Sequence, residues 1–154
     1  MSGTVSTIIF RIVLKKSPLR TLRPLRLIFM TENEIGTLIL DAAFEVHKTL
    51  GPGLLESSYE HCLAYELLNK GLRTALQKPL PLVYKETKLE CGYRIDLLVE
   101  DKVVVEVKAV EAIHDIHLAQ VLTYLKLTNC KLGYLLNFNV VQLKSGVKRV
   151  VLNL

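Results

Sequence analysis

Three residues of a predicted β-hairpin have side chains and spacing suited to chemistry on a phosphate ester. Asp96 precedes the polar turn 100–102, and Glu106 and Lys108 follow that turn. A three-residue turn places Asp96 opposite Glu106, with Cβ atoms about 4.5–5.5 Å apart. Lys108 lies two residues beyond Glu106 and therefore shares the same face of the strand pair. The spacing thus predicts that two carboxylates and one ammonium group converge.

The opposite face of this hairpin is wholly apolar, which indicates strands that are buried on both sides. It carries Ile95, Leu97, Val99, Val103, Val105 and Val107. Burying unpaired charge costs several kcal/mol, so the charged face needs a reason. One reason is Mg²⁺, or Mn²⁺ in its place, because Mg²⁺ is typically held by one or two carboxylates, waters and substrate phosphate oxygens. A buried salt-bridge network of the same three side chains is the alternative.

With a metal present, the lysine of this cluster has a chemical use. Lys108 would orient a water or stabilise the charge that develops on phosphorus. Such a set of groups suits the hydrolysis of a phosphodiester.

The segments around the hairpin predict one α/β domain with a mixed central sheet. Helix-like periodicity covers 32–50, 54–70 and 114–128, and strand-like segments cover 80–84, 93–99, 103–107, 132–138 and a last pair around 144–146. The sequence Thr31-x-x-Glu34 is a capping box that starts the first helix. Gly71 stands where a glycine cap ends the second helix.

Several motifs that follow one another along the chain resemble those of one nuclease family. Asp96, nine further residues and Glu106-Val107-Lys108 are similar to the PD-(D/E)XK signature, with Ile95 where that family often has proline. The remaining motifs are 53–59, which reads GxxExxY, and the segments 77–81, 93–97, 105–111 and 119–125. From about residue 32 onward, the chain resembles the prokaryotic GxxExxY protein family of the PD-(D/E)XK nuclease superfamily.

This resemblance implies a restriction-endonuclease-like fold, in which a mixed central β-sheet is flanked by helices. It implies that Asp96 and Glu106 bind the metal, with the Val107 carbonyl as a further ligand, and that Lys108 is the catalytic lysine. It also places Glu56 near the metal, as a ligand. An acid in the first turn of a helix stabilises the helix dipole as well, which is the plain alternative for Glu56.

Other polar residues have both a site interpretation and a structural one. Gln120 and Tyr124 lie four residues apart on one helix face. They resemble the Gln-xxx-Tyr motif of exonuclease-like families, which implies that Gln120 is a site residue and that Tyr124 supports it. Tyr59 is interpreted as a packed aromatic residue. Three histidines are interpreted as surface or core residues rather than metal ligands, namely His47, His114 and His117.

The positive charge of the chain is confined to its first residues. The net charge is +5, but residues 1–29 hold six Lys and Arg and no acid, whereas residues 30–154 hold 14 Lys and Arg against 15 Asp and Glu. We predict that 1–29 is a basic extension, either disordered or lying upstream of a true start at Met30, and that 30–154 is the nuclease-like domain. The apolar stretches within residues 1–29 are split by Arg11 and are too short to span a bilayer.

These observations lead to three hypotheses about function. The first is a Mg²⁺- or Mn²⁺-dependent nuclease that acts on DNA or RNA. The second is a catalytically silent protein of the same fold that binds nucleic acid as an accessory. The third is a structural or interaction protein in which the charges of the hairpin form only a salt bridge. A homodimer or a protein partner would help so small a domain to enclose a duplex. The three widely spaced cysteines, Cys62, Cys91 and Cys130, indicate reduced thiols and a cytoplasmic location.

Overall fold

A computed structural model describes residues 23–154, apart from the side chain of Cys91. The predictions for residues 1–22 therefore lie outside the described residues. The helices are α1 Leu25–Ile28, α2 Glu32–Leu50, α3 Glu56–Asn69, α4 Asp115–Thr128 and α5 Leu143–Gly146. The strands are β1 Thr74–Tyr84, β2 Thr87–Val99, β3 Val103–Lys108, β4 Leu132–Asn137 and β5 Val147–Val151.

The five strands form one mixed sheet in the order β1-β2-β3-β4-β5. Only β3 and β4 run parallel, and the other neighbours are antiparallel. A parallel pair needs a crossover connection, and α4 lies in the chain between these two strands. The predicted α/β architecture with a mixed central sheet is confirmed.

Helices cover both faces of the central strands. On one face, α2 and α3 bury a core that includes Ile39, Leu63, Val105 and Leu136. On the other face, α4 buries a second core that includes Val121, Leu125, Val104 and Leu135. Alternate residues of β3 and β4 therefore point into different cores, which is why these strands are almost wholly apolar. No helix within residues 23–154 combines the length and apolarity needed to cross a membrane.

The first two long helices begin and end close to their predicted positions. Helix α2 has the predicted capping box, because the Thr31 hydroxyl accepts from the Glu34 amide and the Glu34 carboxylate accepts from the Thr31 amide. Helix α3 begins at Glu56, two residues later than predicted. The reason is a turn held by Tyr59, whose hydroxyl accepts from the Leu54 amide at 3.1 Å and donates to the Gly51 carbonyl at 2.6 Å.

The first two strands are longer than the sequence predicted. Strand β1 begins at Thr74 rather than at residue 80, and β2 begins at Thr87 rather than at residue 93. Together they form a long antiparallel hairpin whose turn includes Lys85 at a φ of 54°. The register shifts between Leu80 and Leu82, around a proline that cannot donate to the ladder. Polar and proline residues interrupt the apolar pattern of both strands, so the sequence did not predict their full length.

The predicted pair of strands around residues 144–146 is half wrong. Only β5 forms, whereas residues 139–142 are a loop and α5 is a single helical turn. The loop is tied to α2, because Nε2 of His47 lies 2.8 Å from the Val140 carbonyl oxygen. Helix α5 packs so closely on the end of β4 that a side chain at Gly146 would collide with the Asn137 carbonyl.

Residues 23–29 contact the domain, although the sequence predicted neither helix nor strand before residue 30. The single turn of α1 follows Pro24. Arg23 donates to Oε1 of Glu100 at 2.6 Å, and the side chain of Glu100 is only 4% exposed. A buried carboxylate attracts a cationic partner, which explains why this part of the basic segment lies against the fold. The nature of residues 1–22 stays a prediction.

Candidate active site

The strands β2 and β3 part at the position of Asp96. The predicted pairing of Val99 with Val103 is confirmed, and the ladder continues to Leu97 opposite Val105. Beyond that pair, Oδ2 of Asp96 accepts a hydrogen bond from the Val107 amide at 2.9 Å. A carboxylate thus takes the place of the next ladder bond, so Asp96 lies where the two strands open.

This opening also breaks the predicted alternation of β2. Ile95 was expected on the same face as Leu97, but Leu97 packs in the core beneath α2 and α3 whereas Ile95 packs in the core beneath α4. On the neighbouring strand, Gln77 has a φ of 49°, in the left-handed region. Both strands are therefore irregular beside Asp96, and the strict period-two prediction fails there.

Glu106 is a buried carboxylate that is only partly satisfied. It is 2% exposed, and its Oε1 accepts from Nζ of Lys108 at 3.0 Å. Within residues 23–154, its Oε2 has no hydrogen-bond partner. The pKa of Glu106 is raised to about 7, mainly by burial and further by the nearby Asp96 carboxylate. The unpartnered oxygen indicates a place for a further ligand.

Lys108 remains a cation although it is half-buried. Burial acts to lower its pKa, but the carboxylates of Glu106, Glu56 and Asp96 outweigh burial and raise the pKa above its ordinary value. In the described part of the chain, Lys108 pairs with Glu106 and not with Asp96. The structure therefore brings the three predicted residues together, with the ammonium on one carboxylate only.

Gln77 and Glu60 form a layer behind Asp96 that the sequence analysis missed. The Gln77 amide nitrogen donates to Glu60 at 2.6 Å and to Oδ1 of Asp96 at 3.2 Å. Burial, followed by the Asp96 charge, raises the pKa of Glu60. Burial also raises the pKa of Asp96, against hydrogen bonds from Val107 and Gln77 that lower it. Glu60 lies one helical turn after Glu56, and that spacing is the signal that could have identified it.

Glu56 reaches the edge of the site from the first residue of α3. Its Oε1 accepts a hydrogen bond at 3.1 Å from the amide of Ala109, the residue that follows Lys108 in the chain. Within residues 23–154, no three His, Cys, Asp or Glu side chains form a group that could hold a metal ion together. The structure thus assigns Glu56 a bond that ties α3 to the end of β3, and its role as a metal ligand stays a prediction.

Asn137 is a third residue that sequence reasoning missed. Its buried amide accepts from the amides of Val110 and Asn139 at 3.1 and 3.2 Å and donates to the Val110 carbonyl at 2.9 Å. These bonds hold Val110, which follows β3, against the end of β4. The signal in the sequence is an amide side chain at the end of an apolar strand.

The predicted pair on α4 is joined by a hydrogen bond, and Tyr124 lies near the carboxylates. Gln120 donates to the Tyr124 hydroxyl at 2.8 Å, and Tyr124 is buried. Burial raises the pKa of Tyr124, and the charges of Glu106 and Asp96 raise it further. Tyr124 therefore lies near the site and Gln120 is bonded to it, whereas the roles of both residues stay predictions.

The remaining candidates have structural partners. Tyr59 is fully buried and stacks on Phe138 with ring centroids 4.5 Å apart, which confirms that it is a packed aromatic residue. The Nδ1 atom of His117 accepts from the His114 amide at 3.1 Å and caps the start of α4. These two histidines share a helix cap, in agreement with their interpretation as structural residues.

The donor set fits a hard divalent cation. Asp96 and Glu106 supply two carboxylates from adjoining strands, and Oε2 of Glu106 is buried without a partner among the described residues. Mg²⁺ requires no more than one or two carboxylates, because it keeps several waters and takes oxygens from substrate phosphates. Two acids and a lysine on the central hairpin of a mixed sheet are the arrangement expected of a metal-dependent nuclease fold.

A family model of the PD-(D/E)XK nuclease superfamily matches residues 33–150, which is well over half of the chain. The protein therefore belongs to the PD-(D/E)XK nuclease superfamily, and the restriction-endonuclease-like fold is confirmed. Comparison with curated proteins and with solved structures gave no significant match. The narrower resemblance to the GxxExxY family stays a prediction.

Proposed function

We propose that the protein is a Mg²⁺-dependent nuclease that hydrolyses phosphodiester bonds of DNA. The observation that carries this proposal is the buried, unpartnered Oε2 of Glu106 beside Asp96 and Lys108. A purely structural ion-pair network would leave no such oxygen without a partner. Membership of a nuclease superfamily supports the general class of activity.

Each residue of the cluster has a part in the proposed reaction. Asp96 and Glu106 would hold the divalent cation, which when bound neutralises the anionic phosphodiester and activates the attacking water. Lys108 keeps its positive charge and stabilises the negative charge that develops on the phosphate. The Val107 amide and Gln77 hold the Asp96 carboxylate in one orientation, so that little rearrangement is needed on binding.

A cleavage assay tests the proposal. The purified chain would be incubated with linear, nicked and single-stranded DNA, and with RNA, in Mg²⁺, in Mn²⁺ and in EDTA. We expect cleavage in either metal and none in EDTA. The control is the double variant Asp96→Ala/Lys108→Ala, prepared in parallel. Cleavage by the wild type that does not exceed cleavage by this variant would overturn the proposal.

An accessory role without turnover is the second candidate, and two observations favour it. Residues 30–154 carry 14 Lys and Arg against 15 Asp and Glu, which gives little electrostatic affinity for phosphates. Lys108 also occupies one oxygen of Glu106. Calorimetric titration with Mg²⁺ separates the candidates, because a site without metal affinity even in the presence of DNA supports the accessory role.

A further inference from the structure

A pocket of about 310 Å³ adjoins the candidate active site along α4. Gln120 and Tyr124 line this pocket, and the charges of Glu106 and Asp96 act on Tyr124, so the pocket lies next to the candidate site. Tyr93, Ile116 and His117 also line the pocket. The size is at the lower end of the roughly 300–1,000 Å³ of ligand pockets, which suits one small planar group.

The irregularity at Asp96 is what brings Tyr93 to this pocket. Because the alternation of β2 breaks there, Ile95 packs beneath α4, and Tyr93, two residues earlier, lines the pocket against α4. Tyr93 is 41% exposed and is therefore available for stacking. A regular strand would have placed Tyr93 on the same side as Leu97, away from α4.

Polar groups of the pocket match the edge of a nucleobase. Since Nδ1 of His117 accepts from the His114 amide, the ring proton of the neutral imidazole is on Nε2, which is a donor. Gln120 uses its amide nitrogen to reach Tyr124, and no residue within 23–154 donates to its carbonyl oxygen. Besides the hydroxyl groups of Thr123 and Tyr124, the pocket thus offers a donor and an acceptor next to an aromatic ring and the apolar side chain of Ile116.

The charge of the domain argues for such a contact. Residues 30–154 carry one more acid than base, so attraction to phosphates alone gives weak binding. Stacking of a base on an aromatic side chain adds affinity that does not depend on charge. A base within a duplex is already stacked between its neighbours and cannot enter a pocket of this kind.

We infer that the pocket of Tyr93, Ile116, His117 and Gln120 binds one unstacked base beside the scissile phosphate, which makes single-stranded nucleic acid the preferred substrate class. This inference rests on the proposed nuclease function and adds a substrate class to it. The pocket gives the strand a fixed position relative to Asp96 and Glu106, because Tyr124 both lines the pocket and lies near these carboxylates.

Binding measurements test the inference independently of cleavage. The full chain would be titrated, with Ca²⁺ in place of Mg²⁺, against three labelled probes of equal length: single-stranded oligothymidylate, an abasic strand with the same phosphates, and a blunt duplex. Fluorescence anisotropy gives the Kd for each probe. We expect the oligothymidylate to bind at least about tenfold more tightly than the abasic strand.

Substitutions at the pocket sharpen this test. Tyr93→Ala should weaken oligothymidylate binding roughly 5- to 150-fold and leave binding of the abasic strand unchanged, whereas Tyr93→Phe should keep the wild-type Kd. Ala119→Trp, which fills the pocket from α4, should also weaken oligothymidylate binding. The matched control is Tyr84→Ala, an exposed tyrosine at the far end of β1 that does not line the pocket.

The outcomes separate this inference from the proposed function. Equal Kd values for oligothymidylate and the abasic strand, or equal losses in Tyr93→Ala and Tyr84→Ala, would overturn the base pocket even if the protein cleaves DNA. Binding that depends on bases and on Tyr93, together with no cleavage in any metal, would support the pocket and overturn the nuclease proposal.

Discussion

The chemistry at the scale of single residues depends on how three charges share a small buried volume. One carboxylate oxygen of Glu106 accepts a hydrogen bond from Lys108, and the other has no partner among the described residues. The carboxylate of Asp96 accepts hydrogen bonds from the Val107 amide and from the Gln77 side chain. The nearby Asp96 charge raises the proton affinity of Glu106. A cation that replaces the proton would relieve this repulsion, which is the physical basis of the proposed metal site.

The raised pKa of Glu106 predicts that the metal-free protein loses stability as the pH rises. Burial and the Asp96 charge raise the pKa of Glu106 from 4.5 to about 7. Between these values the native state holds more protons than the unfolded state, so the free energy of unfolding falls with increasing pH. The complete shift corresponds to a loss on the order of 3 kcal/mol.

Urea unfolding in EDTA from about pH 5 to about pH 8 measures this effect. The raised pKa values of Asp96 and Glu60 act in the same direction, so the wild type is compared with Glu106→Gln, which should show a flatter dependence. Parallel curves for the two proteins would contradict the assigned shift.

Gln77 is predicted to position Asp96 through the bond that it makes between Glu60 and Asp96. Gln77→Ala and Gln77→Gly should each lower Mn²⁺ affinity by about 10- to 100-fold, because both remove the amide. Their stabilities should differ, since only glycine relieves the left-handed backbone at this position. Calorimetry with Mn²⁺ and urea unfolding provide the two readouts.

A solvent-exposed glutamine, Gln142, supplies the control for this pair of variants. Gln142→Ala should keep the Mn²⁺ affinity of the wild type. If the two Gln77 variants also keep that affinity, Gln77 has no positioning role at the site.

The residues that sequence reasoning found differ in kind from those that it missed. Asp96, Glu106 and Lys108 could be predicted because a tight hairpin converts sequence spacing directly into spatial proximity. Gln77 and Glu60 belong to β1 and α3, so their meeting depends on how a helix packs against an edge strand. Local periodicity contains no information on that packing.

At the scale of elements, the parting of β2 and β3 is the feature that creates the site. The ladder ends at the pair Leu97 and Val105. Beyond that pair, the carboxylate of Asp96 accepts a hydrogen bond from the Val107 amide of β3. The same irregularity moves Ile95 to the α4 side and brings Tyr93 to the pocket. The sequence predicted the hairpin and its register at the turn, but it could not predict where the ladder ends.

Asn137 is expected to hold the exit of β3 in place. Asn137→Ala removes three hydrogen bonds to the backbone of Val110 and Asn139 and leaves buried groups unsatisfied. The expected loss is about 2–4 kcal/mol in the free energy of unfolding, measured with urea. Asn139→Ala is the control and should cost less than about 0.5 kcal/mol. Similar losses in both variants would contradict this role.

At the scale of the whole molecule, charge is distributed unevenly between the first residues and the domain. The chain has a net charge of +5, and four of the cations lie within residues 1–22. Arg23, the next residue, belongs to the described part of the chain and pairs with the buried Glu100. Affinity for phosphates that is independent of sequence should therefore depend on the first 22 residues, whereas the chemistry should not.

This distribution predicts a difference in salt dependence between the full chain and a variant that begins at residue 23. The plot of log K against log salt for duplex DNA should be steeper for the full chain, by up to about 3–4 units of slope, because four cations are lost. Anisotropy titrations at several salt concentrations give both slopes. Identical slopes would show that residues 1–22 do not contact phosphates.

The single-turnover cleavage rate of Lys108→Ala tests most directly whether Asp96, Glu106 and Lys108 form a hydrolytic site. We predict that the wild type cleaves single-stranded DNA in Mg²⁺, and that Lys108→Ala is slower by about 10²- to 10³-fold while remaining folded. Lys126→Ala, on the exposed side of α4, should retain the wild-type rate. Equal rates for the wild type and Lys108→Ala would contradict a hydrolytic role for these residues.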